Sequence, residues 1–148
     1  MLFIKMGIKE VHRWEQVVVD ILNIDGWNIE WSGGGFQHYD AVGETRKGAK
    51  CVIEMKFRHT YYKTKMLEKL KYDKLMELGD DVHKLYLVFD PKAMYIFWLN
   101  KLDLPSLEKM NCPDTTLWTK KKKQKEVYLL EESQASYINN ESGFDKCL

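Results

Sequence analysis

Glu15, Asp40, Glu54 and Lys56 carry side chains, at spacings, that suit chemistry at a negatively charged oxygen. Glu54 and Lys56 interrupt an apolar run of Cys51, Val52, Ile53, Met55 and Phe57. Successive side chains of a strand point to opposite faces. Val52, Glu54 and Lys56 therefore share one face, while Cys51, Ile53, Met55 and Phe57 line the other, the expected core face. His38, Asp40 and Val42 share a face of the preceding segment in the same way. If Asp40 and Glu54 meet, their carboxylates repel, and one must hold a proton unless a positive charge lies between them. A hard divalent cation meets that need: Mg²⁺ is satisfied by one or two carboxylates, with water and phosphate completing its shell. Lys56, one step along the same face, can hold a water or a phosphate oxygen. Glu15 is a fourth candidate, because it falls near the apolar side of a helical repeat with Val11 and Val18, where a lone carboxylate is disfavoured.

Register decides whether the two acids meet. A two-residue turn at Lys47-Gly48 pairs positions 46 and 49, which sum to 95, and sets Asp40 opposite Met55. That register mixes the polar face with the core face. A three-residue turn, Arg46-Lys47-Gly48 with glycine in the left-handed position, pairs 45 with 49 and makes the sum 94. Asp40 then faces Glu54 with Cβ atoms roughly 4.5 to 5.5 Å apart. The glycine stands where that turn requires it, so the second register is expected.

These residues need a frame. Residues 8–24 have helical spacing, with Ile8, Val11, Trp14, Val18, Ile21 and Leu22 on one broad face. Strands are expected at 27–31, 36–44 and 50–57, a second helix at 63–78 ending at Gly79, and strands at 84–90 and 93–100 split by Asp90-Pro91. Residues 101–116 read as loop, 127–131 as a last strand, and the final dozen as a loose or helical tail. The order implies one mixed sheet with helices packed against it. A single domain over 1–148 is expected, with its core over 8–131 and a tail over 132–148.

With 45% hydrophobic and 13% aromatic residues, the composition argues for a packed globule rather than a disordered chain. No apolar run approaches the roughly 18 residues of a membrane span, and the start lacks the pattern of a secretory leader. Cys51, Cys112 and Cys147 are odd in number and widely spaced, which speaks against a zinc site or a disulfide framework and for an intracellular, reducing setting. Net charge is only +1, but its distribution is uneven. Arg46 to Lys74 holds ten Lys or Arg (46, 47, 50, 56, 58, 63, 65, 69, 71, 74) against three acids (54, 68, 73), and Lys120 to Lys125 forms a second basic block. Such segregation gives a basic face suited to a polyanion.

At these residues the chain resembles the PD-(D/E)XK nuclease superfamily. The resemblance rests on an acid on the first helix (Glu15), an acid on the second strand (Asp40) and Glu54-Met55-Lys56 on the third. It runs from Glu15 to the second helix, with the strands up to Asn100 agreeing in order. The "GW" before a strand, "DAV" and "IEMK" are most similar to archaeal-type Holliday-junction resolvases and to small phage or intron-encoded nucleases. Tyr39 stands where proline often precedes the aspartate.

The resemblance implies an α/β, restriction-endonuclease-like fold: a mixed central β-sheet flanked by helices. It implies a metal-dependent DNA endonuclease, structure-selective in its action. Asp40, Glu54 and the Met55 carbonyl would hold Mg²⁺ or Mn²⁺, Glu15 would bind directly or through water, and Lys56 would orient the attacking water and help to deprotonate it. Lys63, Lys65 and Lys69 of the second helix, with Lys120, Lys121, Lys122 and Lys123, are the expected DNA contacts. Cutting a duplex or a junction needs two sites, hence a homodimer or higher homo-oligomer. The alternative is a non-cleaving nucleic-acid-binding module of the same fold, against which the intact Asp40, Glu54 and Lys56 set weighs.

Overall fold

Strand alternation and one glycine turn build the hairpin on which the rest is assembled. Strands β2 (Ala41–Glu44) and β3 (Lys50–Phe57) pair Ala41 with Ile53, Val42 with Val52 and Glu44 with Lys50, each summing to 94. The Thr45 N–H donates to the Ala49 carbonyl over 2.8 Å, and Gly48 takes the left-handed conformation with φ 81°. This is the three-residue turn expected from the sequence.

The computed structural model describes residues 7–35, 37–113, 122–140 and 143–144. Helix α1 (Ile8–Ile24) and strand β1 (Asn28–Trp31) precede the hairpin. After it come β4 (Thr64–Glu68), α2 (Lys69–Met76), β5 (His83–Phe89), β6 (Ala93–Trp98), β7 (Glu108–Pro113), β8 (Lys122–Glu131), β9 (Tyr137–Asn140) and β10 (Gly143–Phe144). The larger sheet has the order β1-β2-β3-β5-β6-β9-β10, and β4-β8-β7 form a second sheet. Only β3 and β5 pair in parallel among the described strands of the larger sheet, which makes it mixed as expected. A parallel pair requires a crossover, and here β4 and α2 supply it. No described helix is long and apolar enough to cross a membrane.

Both faces of the central sheet are buried. On one face Val18 and Val19 of α1 pack on Cys51, Ile53, Met55, Leu85 and Leu87, so the odd-numbered face of β3 is core. On the other, Val52, Tyr86, Val88 and Phe97 meet Leu67, Leu75, Tyr128 and Leu130 from β4, α2 and β8. Glu54 thus points into the buried seam between the central sheet and the elements laid across it, while Lys56, on the same face, is exposed.

Several expectations need correction. The helix expected over 63–78 starts only at Lys69; residues 64 to 68 form a strand in which Lys65 and Leu67 are buried. Met66, Leu67, Leu70, Leu75 and Leu78 fit a helical repeat, but Thr64 to Glu68 also alternate, and β8 supplies a ladder from Thr64–Glu131 to Glu68–Val127. Leu70 and Leu78 lie exposed. The second strand begins at Ala41 rather than 36, because residues 38 to 40 bend into the site. Residues 108–113, expected as loop, pair with β8, and β9, expected in a tail, pairs with β6 and buries Tyr137, so packing continues past 131. Helix α1 buries Glu15, Val18 and Val19, while Ile8, Trp14 and Ile21 of the expected inner face are exposed.

Candidate active site

Asp40 is fixed by two bonds to β3. Its N–H donates to the Ile53 carbonyl over 2.8 Å, and its Oδ2 accepts the Met55 N–H over 2.8 Å. The paired register of the hairpin ends at Ala41–Ile53, and the Asp40 N–H bonds that same Ile53 rather than continuing the ladder, so Asp40 leaves the strand beside Glu54, where its charge is felt. Met55 turns its own side chain into the α1-side core, so it brings only its backbone to the acids.

Glu15 reaches the same place from α1. It is 3% exposed, and its Oε1 accepts the Trp31 indole N–H over 3.2 Å. A Cβ at Gly33 would stand 2.7 Å from both Glu15 Oε1 and Trp31 Nε1, so a larger residue in the turn after β1 would force this bonded pair to shift. Burial, and then the Asp40 charge, push the Glu15 carboxyl up to about 7, against the opposing effects of Trp31 and Lys71.

Glu54 is 8% exposed. Burial, with the Asp40 charge second, raises its carboxyl to about 8, while Lys71 and Lys56 pull it down. The Lys71 ammonium of α2 lies 3.1 Å from Glu54 Oε1. Glu54 Oε2 is buried and has no hydrogen-bond partner among the described residues. Lys56 is open to solvent by area, yet desolvation is the main cause lowering its pKa, with Arg58 and Lys71 adding to it and Glu68 and Glu54 opposing.

The donor chemistry here fits a hard divalent cation. Two buried carboxyls are driven towards protonation by their surroundings, and Glu54 Oε2 is an oxygen acceptor with nothing to accept. Among the described residues no three acidic, histidine or cysteine side chains converge into a ready cage. An ion such as Mg²⁺, which keeps several waters and takes one or two carboxylates, needs no such cage.

The expected DNA contacts are scattered. Lys63 is exposed at the start of β4, and Lys123 is exposed on β8. Lys69 is ion-paired with Asp73 within α2. Lys65 must be corrected: it is 3% exposed and its ammonium is 2.7 Å from Asp90 Oδ2, so it is closed off from a phosphate. The physical reason is that 64 to 68 form a strand and not a helix, and the strand turns Lys65 inward. Lys122 falls within β8, while Lys120 and Lys121 lie outside the described residues.

Lys71 and Trp31 carry no signal of their role in the sequence. Lys71 is one of several lysines between 63 and 74, and only its position on α2 over Glu54 distinguishes it. Trp31 ends a strand whose partner acid lies 16 residues earlier, a spacing without local meaning.

No family model matches the chain, and no curated protein matches it. Among solved structures it is similar to Hjc, a Holliday junction resolvase from the archaeal hyperthermophile Archaeoglobus fulgidus. The TM-score is 0.53 and the identity 18%, covering 82% of this chain and 83% of that one. With its mixed central sheet, second sheet and helices α1 and α2, the chain has the restriction-endonuclease-like fold.

Proposed function

We propose that this protein is a metal-dependent, structure-selective DNA endonuclease of the PD-(D/E)XK type. One observation carries the reading: Asp40 accepts the Met55 N–H beside Glu54, whose buried Oε2 lacks a partner among the described residues. The fold shared with a Holliday junction resolvase supports DNA as substrate and a junction as the first structure to try.

Asp40, Glu54, the Met55 carbonyl and Glu15 would hold Mg²⁺ or Mn²⁺; when bound, the ion lowers the pKa of an attacking water and stabilises charge on the phosphoryl oxygens. The chain's own part is orientation and proton handling. The Met55 N–H holds the Asp40 carboxylate in place, and the Trp31 indole does the same for Glu15. Lys56 holds its proton less firmly than an ordinary lysine, which suits a group that orients a water and relays its proton. Lys63 and Lys123 remain as outer contacts to phosphates, joined by the Lys120 to Lys122 block.

A homodimer completes the proposal, since a junction has two strands to cut. Val17, Ile21 and Ile24 form an exposed apolar stripe on α1, with Ile24 87% exposed. The test is cleavage of labelled duplex, junction, flap and single-stranded DNA, with Mg²⁺, with Mn²⁺ and with chelator. Metal-dependent cutting that favours one branched structure is expected. Binding without cutting under every metal would replace the endonuclease with a non-cleaving module.

A further inference from the structure

We infer that Lys71 is the resident counterion of the acid pair, and that a divalent cation must displace it from Glu54 to bind. The inference rests on the metal-site reading above and deepens it. Lys71 Nζ sits 3.1 Å from Glu54 Oε1, so the carboxylate proposed to hold the ion already has an ammonium on one oxygen. The other oxygen, Oε2, has no hydrogen-bond partner among the described residues, so the pair is only half satisfied. Lys71 is held from one side: its side chain is 36% exposed, on the short helix α2, and it can swing outward without unpacking the core. Leu75, one turn further along α2, is the buried anchor. Lys71 is the solvent-facing end of the pair and Glu54 the buried one, so an ion that reaches Glu54 can take the ammonium's place while Lys71 moves out into water.

The consequence is a coupling between ion and DNA. A phosphate of the bound strand offers Lys71 a new partner, which frees Glu54 for the ion. DNA should therefore strengthen ion binding, and the ion should strengthen DNA binding by the same factor.

The experiment is calorimetric titration of the DNA-free protein with Ca²⁺ alone, for wild type, Lys71→Met, Lys71→Gln, Glu54→Gln and, as a surface control, Lys74→Met. Lys74 pairs with Glu77 on the same helix. Both Lys71 variants should bind Ca²⁺ about fivefold more tightly than wild type, while Lys74→Met binds as wild type does. Two variants guard against one failing to fold. If the Lys71 variants bind equally or more weakly while Glu54→Gln loses binding, the counterion role is overturned and the metal site stands. If Glu54→Gln binds Ca²⁺ as wild type does, the metal site and the counterion role both fall.

Discussion

Two clusters of buried charge lie against the central sheet, and they are built on opposite plans. In one, the Lys65 ammonium sits 2.7 Å from Asp90 Oδ2 and 3.3 Å from Glu132 Oε1, over the rings of Tyr61 and Tyr95. Asp90 Oδ1 also accepts the N–H groups of Lys92 and Ala93, and Glu132 accepts the Tyr61 and Tyr95 hydroxyls. Every charge there is answered, and the cluster ties β4 to the β5–β6 turn. In the other, the Asp40 charge falls on both Glu15 and Glu54, with Lys71 paired to Glu54 Oε1 and with Oε2 unanswered among the described residues. Buried charge that is fully paired fixes structure; like charges left crowded store a demand for a ligand.

Breaking the acid cluster should therefore cost function, not folding. Lys56→Ala should lower cleavage by about 10²- to 10⁴-fold, the range for losing a proton-handling group. Glu54→Gln should be at least as severe. Circular dichroism and gel shifts should remain close to wild type for both. A variant that cuts at the wild-type rate would remove its residue from the site.

Breaking the paired cluster should do the reverse. Lys65→Met leaves Asp90 buried without its cation and should destabilise by about 3 to 5 kcal/mol in urea denaturation. Asp90→Asn in the same chain should recover part of the loss, because the amide oxygen still accepts the turn N–H groups. The salt dependence of DNA binding should not change, since Lys65 is closed off from solvent. Alanine at Lys120, Lys121, Lys122 and Lys123 should instead flatten the slope of log affinity against log salt by about 0.9 for every phosphate left unneutralised.

The two clusters are not equally legible in the sequence. Asp40 and Glu54 can be brought together on paper because Gly48 selects the turn and the two-residue period of a strand does the rest. That information is local. Lys65 is misplaced by the sequence pattern because Thr64 to Glu68 satisfies both a helical and a strand repeat, and the choice is made by β8, some sixty residues on. Distance also hides β9, whose partner β6 lies more than forty residues earlier, whereas β7 pairs with the next strand, β8, and is masked by Pro105 and Pro113. Lys71 reaches Glu54 only once β4 has ended and α2 has turned across the sheet, a placement that no spacing encodes.

pH separates the clusters without mutation. The Glu15 and Glu54 carboxyls rise from 4.5 to about 7 and about 8 on folding, first by burial and then by Asp40. The folded protein thus binds protons that the unfolded chain releases, and stability falls as pH rises from about 4.5 through about 8. In chelator, the melting temperature should decline across that window. Saturating Mg²⁺ should flatten the decline, because the ion binds the ionised carboxylates of the folded state. A profile that is the same with metal and with chelator would mean that no ion meets these groups.

The smallest effect is the most selective. Asp40→Asn keeps a side-chain oxygen for the Met55 N–H, so the bond that sets the hairpin end survives. What it removes is one of the crowded charges, the second cause of the raised pKa at both Glu15 and Glu54. Without metal, the variant should melt a few degrees above wild type near pH 8, since the remaining acids ionise with less repulsion. With millimolar Mg²⁺ or Ca²⁺ it should gain little, because an ion that loses one of two carboxylates loses most of its hold on the site. Wild type should show the opposite pair of results, a lower starting point and a larger metal shift. Equal metal shifts in the two proteins would show that Asp40 and Glu54 do not share an ion, and the acid cluster would become a second structural cluster, merely a poorly satisfied one.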